Sequence, residues 1–207
     1  VYIAHIEGTP IEDMVATAKR LSVDGYKVMP HFPARIIKDE ATLADWIARY
    51  QGEADVRQAL LLAGGVSEPR GDFHSSMQLM ETGLFDKAGF TRLHVAGHPE
   101  GNKDIDPDGS DRNVMEALRW KQAFVERTDA RMAIVTQFAF EAPPLIAWAD
   151  RLAAEVIREL DTTHRSGSPF FLYFSFYNVH TPLQGPQLGA VVLTTVDGQH
   201  MKTFHVG

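Results

Sequence analysis

Short apolar runs alternate with amphipathic stretches over the first 160 residues, and this alternation predicts a repeated βα unit. Five apolar runs are typical of buried strands, with starts near residues 1, 27, 58, 92 and 132. The run Gln58–Ala63 is the clearest, because a continuous apolar sequence is typical of a strand covered on both faces. Helical spacing predicts the intervening helices, at 9–25, 41–50, 76–88, 111–126 and 143–160. The repeat therefore predicts an α/β fold with a parallel sheet and right-handed crossovers.

The first helix carries the most explicit signals for its two ends. Thr9 is the predicted N-cap, Pro10 suits the first turn, and Glu12 stands where a capping box requires an acid. Gly25 is placed to end the helix.

The pattern changes after about residue 160. Phe170–Tyr177 is an aromatic run, and Ala190–Val206 resembles a hairpin about Asp197-Gly198. We therefore divide the chain into a βα domain at 1–150 and a helix-strand segment with a terminal hairpin at 151–207. A complete (β/α)8 barrel usually needs roughly 250 residues, so the first domain is part of such a barrel or a smaller open sheet.

Composition narrows the function classes. The 207 residues carry a net charge of −7 with scattered Lys and Arg, which argues against a nucleic-acid or anionic-membrane surface. No apolar run of about 18 residues occurs, so we expect no membrane span. The chain has no cysteine, which excludes thiolate metal sites and fits a cytoplasmic protein. Opening directly on the strand-like Val1–Ile6, it reads as a fragment whose beginning is missing.

Polar residues with useful chemistry follow the predicted strands, where an α/β protein assembles its site: Glu7, His31, His74, His98, Glu100, Asn102, Gln137 and Glu141. His31 and His98 could each serve as a general acid or base or bind a ligand, or could only satisfy nearby backbone groups. The amide of Gln137 could face a heterocycle with paired donors and acceptors, or cap the next helix.

The acidic loop Asp104–Gly109 resembles the start of a calcium loop, but Met115 stands where the bidentate Glu belongs. We interpret it as a turn with acids near a helix N-terminus, and we predict no metal site. Dinucleotide-binding, P-loop and nucleophile-elbow motifs are absent from the sequence.

Residues 1–150 resemble the methylenetetrahydrofolate reductase family, specifically its shorter reductase-like relatives. The matching segments occur in the family's order and roughly its spacing: Pro30-His31-Phe32, Leu61–Gly65, Phe73–Ser76, Val95–Asn102 and Val135–Glu141. The resemblance implies a (β/α)8 TIM barrel, here a partial one lacking its first and last units. It also implies an oxidoreductase of folate one-carbon metabolism, linked to methionine biosynthesis, that reduces a methylene group on tetrahydrofolate to methyl.

The resemblance implies two groups of site residues. FAD and NAD(P)H are the expected cofactors, with tetrahydrofolate as substrate. The residues matched to the cofactor are His31, Gly65, His98, Asn102 and Lys121, of which Lys121 matches a flavin-phosphate lysine. Those matched to the substrate are Gln137, Phe138 and Glu141, with Gln137 against the pterin.

The sequence departs from the reductases at three points. Val66 replaces an aspartate close to the flavin ring, and His98 stands where many members have a flavin-stacking tyrosine. The family's catalytic glutamate would precede Val1, so no catalytic residue is assigned. A folate-dependent methyltransferase or demethylase on the same fold, or an inactive fusion fragment, are the alternatives.

Residues 150–185 resemble a fragment of an arylsulfatase-family sulfatase. The matching segments are Asp150–Leu160, Ser168–Tyr173 and Val179–Gln184, and the resemblance assigns His180 to the sulfate ester. The sequence that yields formylglycine is absent, so we expect no sulfatase activity. The aromatic run could equally be an ordinary buried strand.

Overall fold

A parallel sheet of five strands organises the first two thirds of the chain. The computed structural model describes residues 1–136 and 141–163, together with three short strands at 171–173, 192–194 and 202–204. The sheet has the order β1-β2-β3-β4-β5, in strands that follow one another along the chain: β1 (Tyr2–Ile3), β2 (Met29–Pro33), β3 (Gln58–Leu62), β4 (Arg92–Gly97) and β5 (Arg131–Thr136). The pairs β1/β2, β2/β3 and β3/β4 are parallel, which confirms the predicted α/β class.

Helices follow the strands as the periodicity predicts, except that α2 continues past its predicted end at residue 50 and the helix predicted over 76–88 is divided. Their bounds are α1 (Ile11–Val23), α2 (Glu40–Ala54), α3 (Ser76–Glu81), α4 (Leu84–Lys87), α5 (Arg112–Glu126) and α6 (Ala142–Thr163). A 3₁₀ helix at Ala34–Ile36 follows β2. The single helix predicted over 76–88 is two short helices, because Gly83 has a positive φ of 66° that no helix continues through.

The predicted cap of the first helix is wrong. Pro10, in extended conformation, is the N-cap of α1, and no side chain caps it. The backbone amide of Thr9 instead donates to the carbonyl of Ile6, so Thr9 belongs to the preceding turn. Glu12 accepts from Arg49 of α2 at 2.7 Å rather than reaching back along its own helix. The predicted end at Gly25 is confirmed by its φ of 88°.

The chain forms two compact units, Val1–Ala96 with Glu116–Met132, and Gly97–Met115 with Ala133–Gly207. The predicted domain division at residue 150 stays a prediction. Aromatic side chains dominate the core of the first unit. Phe32 of β2 is fully buried against Tyr50 and Phe85, at ring distances of 5.4 and 5.1 Å. Trp46 lies 6.4 Å away on the same helix as Tyr50. These contacts hold α2 and α4 against one face of the sheet.

In the second unit, Trp148 of α6 is buried and packs where β4 ends. A side chain at Gly97 would collide with Ile134 and with the indole of Trp148. Glycine at this position therefore lets α6 and β5 approach the backbone closely.

Three antiparallel strands form a separate sheet with the order β6-β7-β8, at Phe171–Tyr173, Val192–Thr194 and Lys202–Phe204. Leu193 pairs with Thr203, which confirms an antiparallel pair over the predicted hairpin. The Asp197-Gly198 turn itself lies outside the described residues.

None of the helices in the described part of the chain has the length and apolar character needed to cross a bilayer.

Candidate ligand site on the sheet of the first unit

His31 lies in the middle of β2, not at the carboxyl end where the sequence placed it. Its ring is half-buried and meets the ring of Tyr2 edge-on at 6.4 Å. Burial lowers the pKa of His31, and the nearby His5 lowers it further. The imidazole is therefore neutral at pH 7, with one nitrogen able to donate and the other able to accept.

His94 of β4 joins this face of the sheet, although the sequence analysis did not single it out. The ladder pairs His31 with Leu60 and Leu60 with His94, so the three side chains lie in one row. Tyr2 Oη is 2.8 Å from His94 Nδ1, and burial, with Arg92 as a smaller cause, lowers the pKa of His94 to about 4. In the neutral tautomer that carries its proton on Nε2, His94 Nδ1 accepts a hydrogen bond from the phenol. The signal for His94 was the alternation of Leu93 and Val95 around it, which places the histidine on the opposite face.

His5, which follows β1, is a third histidine of this unit with a lowered pKa. Its ring stacks on Trp46 at 4.5 Å, and its Nε2 lies 3.1 Å from the carbonyl of Thr9. Because a carbonyl only accepts, Nε2 carries the proton and Nδ1 presents a bare lone pair. This Nδ1 is buried, and within the described residues it has no hydrogen-bond partner. Burial lowers the pKa of His5, with the bond to Thr9 acting against it.

The glycine pair after β3 lies in a loop closely apposed to β2. Gly64 has a φ of 100°, and a side chain there would come within 3.0 Å of Pro33 Cβ. Gly65, matched to the cofactor by sequence, has open space where a side chain would project. Val66 follows it and is half-buried, and no carboxylate stands at the position where the reductases have aspartate.

Arg35 connects this loop to the end of β2, and the sequence analysis missed it. Its guanidinium donates to the carbonyls of Val66 and His74, at 3.0 and 3.3 Å. Its backbone amide donates to the carbonyl of Ala63 at 2.9 Å, and its own carbonyl accepts from the amide of Arg70 at 2.7 Å. Nothing local to Arg35 predicts these partners, which lie between 28 and 39 residues away.

Glu7, a predicted strand-end residue, pairs with Arg70 of the same loop at 2.6 Å. Both side chains are exposed, so water screens the pair and it contributes little to stability. The loop after β1 is nevertheless linked to the loop after β3. The structure thus brings the loops after β1, β2 and β3 together, as the parallel sheet predicts.

Lys121 of α5 is matched to the cofactor by sequence and lies on the buried face of its helix. The side chain is 8% exposed, and its ammonium makes no hydrogen bond or ion pair within the described residues. Burial lowers the pKa of Lys121 to about 8. An ammonium buried without a counter-charge is costly, because neither water nor an anion compensates its charge.

The remaining predicted residues belong to the second unit. His98 directly follows β4, as predicted, and Asn102 Nδ2 lies 3.4 Å from its Nδ1. The Asn102 side chain also accepts from the amide of Asp104 at 2.9 Å, so it shapes the loop in which it lies. Glu141 is exposed. Gln137 and Phe138, the residues matched to the pterin, lie outside the described residues.

The acidic loop after β4 has a structural explanation. Asp106 is 2% exposed, and its carboxylate accepts from the amides of Asn113 and Val114, each at 3.0 Å. It therefore satisfies amides in the first turn of α5 that have no partner within the helix. Over the described ranges, no three His, Asp or Glu side chains converge as metal ligands would.

No known protein-family model matches the chain.

Proposed function

We propose that the chain binds a reduced folate at the loops that follow its parallel strands and performs the chemistry of a methylenetetrahydrofolate reductase. One observation carries the proposal: segments in the family's order lie on consecutive parallel strands. Pro30-His31-Phe32 lies on β2, Leu61–Gly65 ends β3, and Val95–Asn102 ends β4. In open or closed α/β sheets, the carboxyl ends of such strands form the ligand site.

The same proposal includes the barrel. Five parallel strands in sequential order are what part of a (β/α)8 barrel would contain. A smaller open sheet has the same local pairing, so the barrel stays part of the proposal. The cytoplasmic location expected from the lack of cysteine belongs to it as well.

In this proposal Lys121 would hold a phosphate of FAD. A buried ammonium with no counter-charge among the described residues suits the phosphate of a dinucleotide, which would neutralise it. Gly65 leaves room for close approach to the backbone of its loop. Bound FAD supplies hydride transfer from NAD(P)H to the methylene group of the folate.

His31 would contribute as a neutral hydrogen-bonding group. With its pKa lowered by burial, the ring places no positive charge beside a ligand at pH 7. Gln137 would orient the pterin, because its amide offers a donor and an acceptor to the paired groups of that ring. No residue is assigned as the general acid.

A folate-dependent methyl transfer is the second candidate, favoured by Val66. The half-buried, uncharged side chain of Val66 offers no charge to a flavin ring, and its carbonyl accepts a hydrogen bond from Arg35. A reaction without flavin needs no acid at that position. The visible absorbance of a flavin in purified protein would favour the reductase, and a colourless protein that binds folate would favour methyl transfer.

Tetrahydrofolate binding tests the proposal. We expect saturable quenching of tryptophan fluorescence by tetrahydrofolate in the wild-type protein. Gln137→Ala should weaken binding about tenfold or more, because one substitution removes both a donor and an acceptor. Gln122→Ala is the matched control, since its amide lies on α5 about 3.5 Å from Glu126, and it should bind as the wild type does. Soluble protein without saturable binding would overturn the proposal.

A further inference from the structure

Arg35 makes four hydrogen bonds to a single loop, the segment 63–74 between β3 and α3. Two come from the guanidinium, to the carbonyls of Val66 and His74. The other two use the backbone of Arg35, which donates to Ala63 and accepts from Arg70. The contacts are spread from the first residue of the loop to the last, so one residue holds the loop at both ends and in its middle.

Glycines in the loop allow its backbone to lie close to residues 33–38. A side chain at Gly71 would collide with the carbonyl of Lys38, and the amide of Asp72 donates to that same carbonyl at 2.9 Å. At the other end, Gly64 leaves no room for a side chain beside Pro33. Two glycines therefore let the loop lie directly on the segment that follows β2, where Arg35 stands.

Phe73, which is 8% exposed, anchors the end of the loop, but the stretch before it has little else to hold it. No side chain of residues 64–72 is buried. The one ion pair of this stretch, between Arg70 and Glu7, is exposed. A segment with few buried apolar groups opens locally at low free energy. The shape of residues 64–70 therefore depends mainly on the hydrogen bonds of Arg35.

We propose that Arg35 is a positioning residue that holds loop 63–74 in the shape that binds the ligand; the inference rests on the proposed function, which places Gly65 of this loop against the ligand. Arg35 itself does not need to touch the ligand. The planar guanidinium is essential, because its nitrogens reach two carbonyls in different directions, whereas a lysine ammonium cannot span both. Loss of either bond leaves the loop with several arrangements, and ligand binding then requires selection of one of them.

Two variants test this role, Arg35→Lys and Arg49→Lys. Arg49 is the matched control, since it also makes two side-chain hydrogen bonds, but to Glu12 and Glu53 on helices α1 and α2. In Arg35→Lys we expect amide hydrogen exchange in 64–74 to be about tenfold faster, with exchange in β2 and β3 unchanged. Trypsin should cleave after Arg70 correspondingly faster. Arg49→Lys should leave the loop as in the wild type.

Tetrahydrofolate affinity provides the readout that a purely structural role would not change. We expect Arg35→Lys to bind about tenfold more weakly at an unchanged melting temperature, and Arg49→Lys to bind normally. Unchanged loop exchange in Arg35→Lys would overturn the inference, as would faster exchange with wild-type affinity. A wild-type protein that does not bind folate would instead overturn the proposed function, and the exchange comparison would still decide whether Arg35 orders the loop.

Discussion

The two faces of strand β2 differ in what their side chains do. Phe32 points into an aromatic core with Tyr50 and Phe85, and nothing of it is exposed. His31, its neighbour in the chain, lies in a row with Leu60 and is half-buried near Tyr2. One face stabilises the fold, whereas the other holds imidazoles whose burial costs stability. Groups of the second kind are typical of functional surfaces, where environment is used to adjust protonation.

The largest expected effect separates the two faces directly. Phe32→Ala should destabilise the protein by about 3–5 kcal/mol, because it leaves a cavity among packed rings. His31→Ala should cost about 1 kcal/mol or less, since its ring is only partly packed. Denaturant unfolding of the two variants measures both values. Equal losses would show that the faces are energetically alike.

A smaller effect is expected where the loop after β3 meets the segment after β2. Gly71→Ala should cost about 1–3 kcal/mol, because the new methyl group overlaps the carbonyl of Lys38 and the backbone must shift. Gly65→Ala is the control, because its side chain would project into open space, and it should be nearly neutral. Thermal unfolding distinguishes them. A neutral Gly71→Ala would argue against the close contact of these segments.

The three histidines with lowered pKa values, His5, His31 and His94, should also give the protein a specific pH dependence. The folded-state pKa values of His5, His31 and His94 lie below their ordinary value, that of His94 at about 4. The unfolded chain therefore takes up protons first as the pH falls below about 6.5, and stability should decline from there towards pH 4. Above about pH 6.5 these histidines are largely neutral in both the folded and the unfolded chain, so they no longer make the free energy of unfolding depend on pH.

A variant isolates the contribution of one ring. His94→Gln should reduce the proton uptake on unfolding between these pH values by about one, as read from the slope of stability against pH. Gln122→Ala, which removes no titratable group, serves as the control, and its slope should match that of the wild type. An unchanged slope in His94→Gln would contradict the assignment of His94 as a buried neutral ring.

The smallest effect concerns the bond between Tyr2 and His94. Tyr2→Phe should cost about 1 kcal/mol or less, because a single hydrogen bond on a half-exposed phenol is lost. The pKa of His94 should rise slightly by NMR titration, because the phenol no longer stabilises the neutral ring. A fall in that pKa would mean that the phenol accepts rather than donates.

Local sequence patterns predicted most of the fold, because strands and helices depend on neighbouring residues. The strand starts at 58 and 92 agree with the structure, and the others differ by at most two residues. The break at Gly83 was missed, since one glycine in a helical pattern is usually tolerated. The cap predicted at Thr9 was wrong because Pro10 occupies the N-cap position, and its side chain makes no capping hydrogen bond.

The site was predicted less completely, because its contacts join distant residues. The sequence predicted the positions of His98 and of the loop that contains Gly65, because each directly follows a strand whose end is visible in the hydrophobic pattern. His94 was hidden within a short strand, and the partners of Arg35 are set by how two loops fold together. Lys121 was matched by resemblance alone, and nothing in the local sequence indicates that its ammonium is buried without a partner in the described chain.

The most direct test of the account combines stability and FAD binding in Lys121→Met. Below pH 8 the lysine is charged in both folded and unfolded chains, so its full burial cost is present at pH 7, and that cost is relieved only as the pH rises towards about 10.5. Methionine should therefore raise the free energy of unfolding at pH 7 by up to about 3 kcal/mol, while abolishing FAD binding. Lys19→Met, on the exposed face of α1, should change neither quantity. A variant that is less stable than the wild type, or that retains full FAD affinity, would contradict the account.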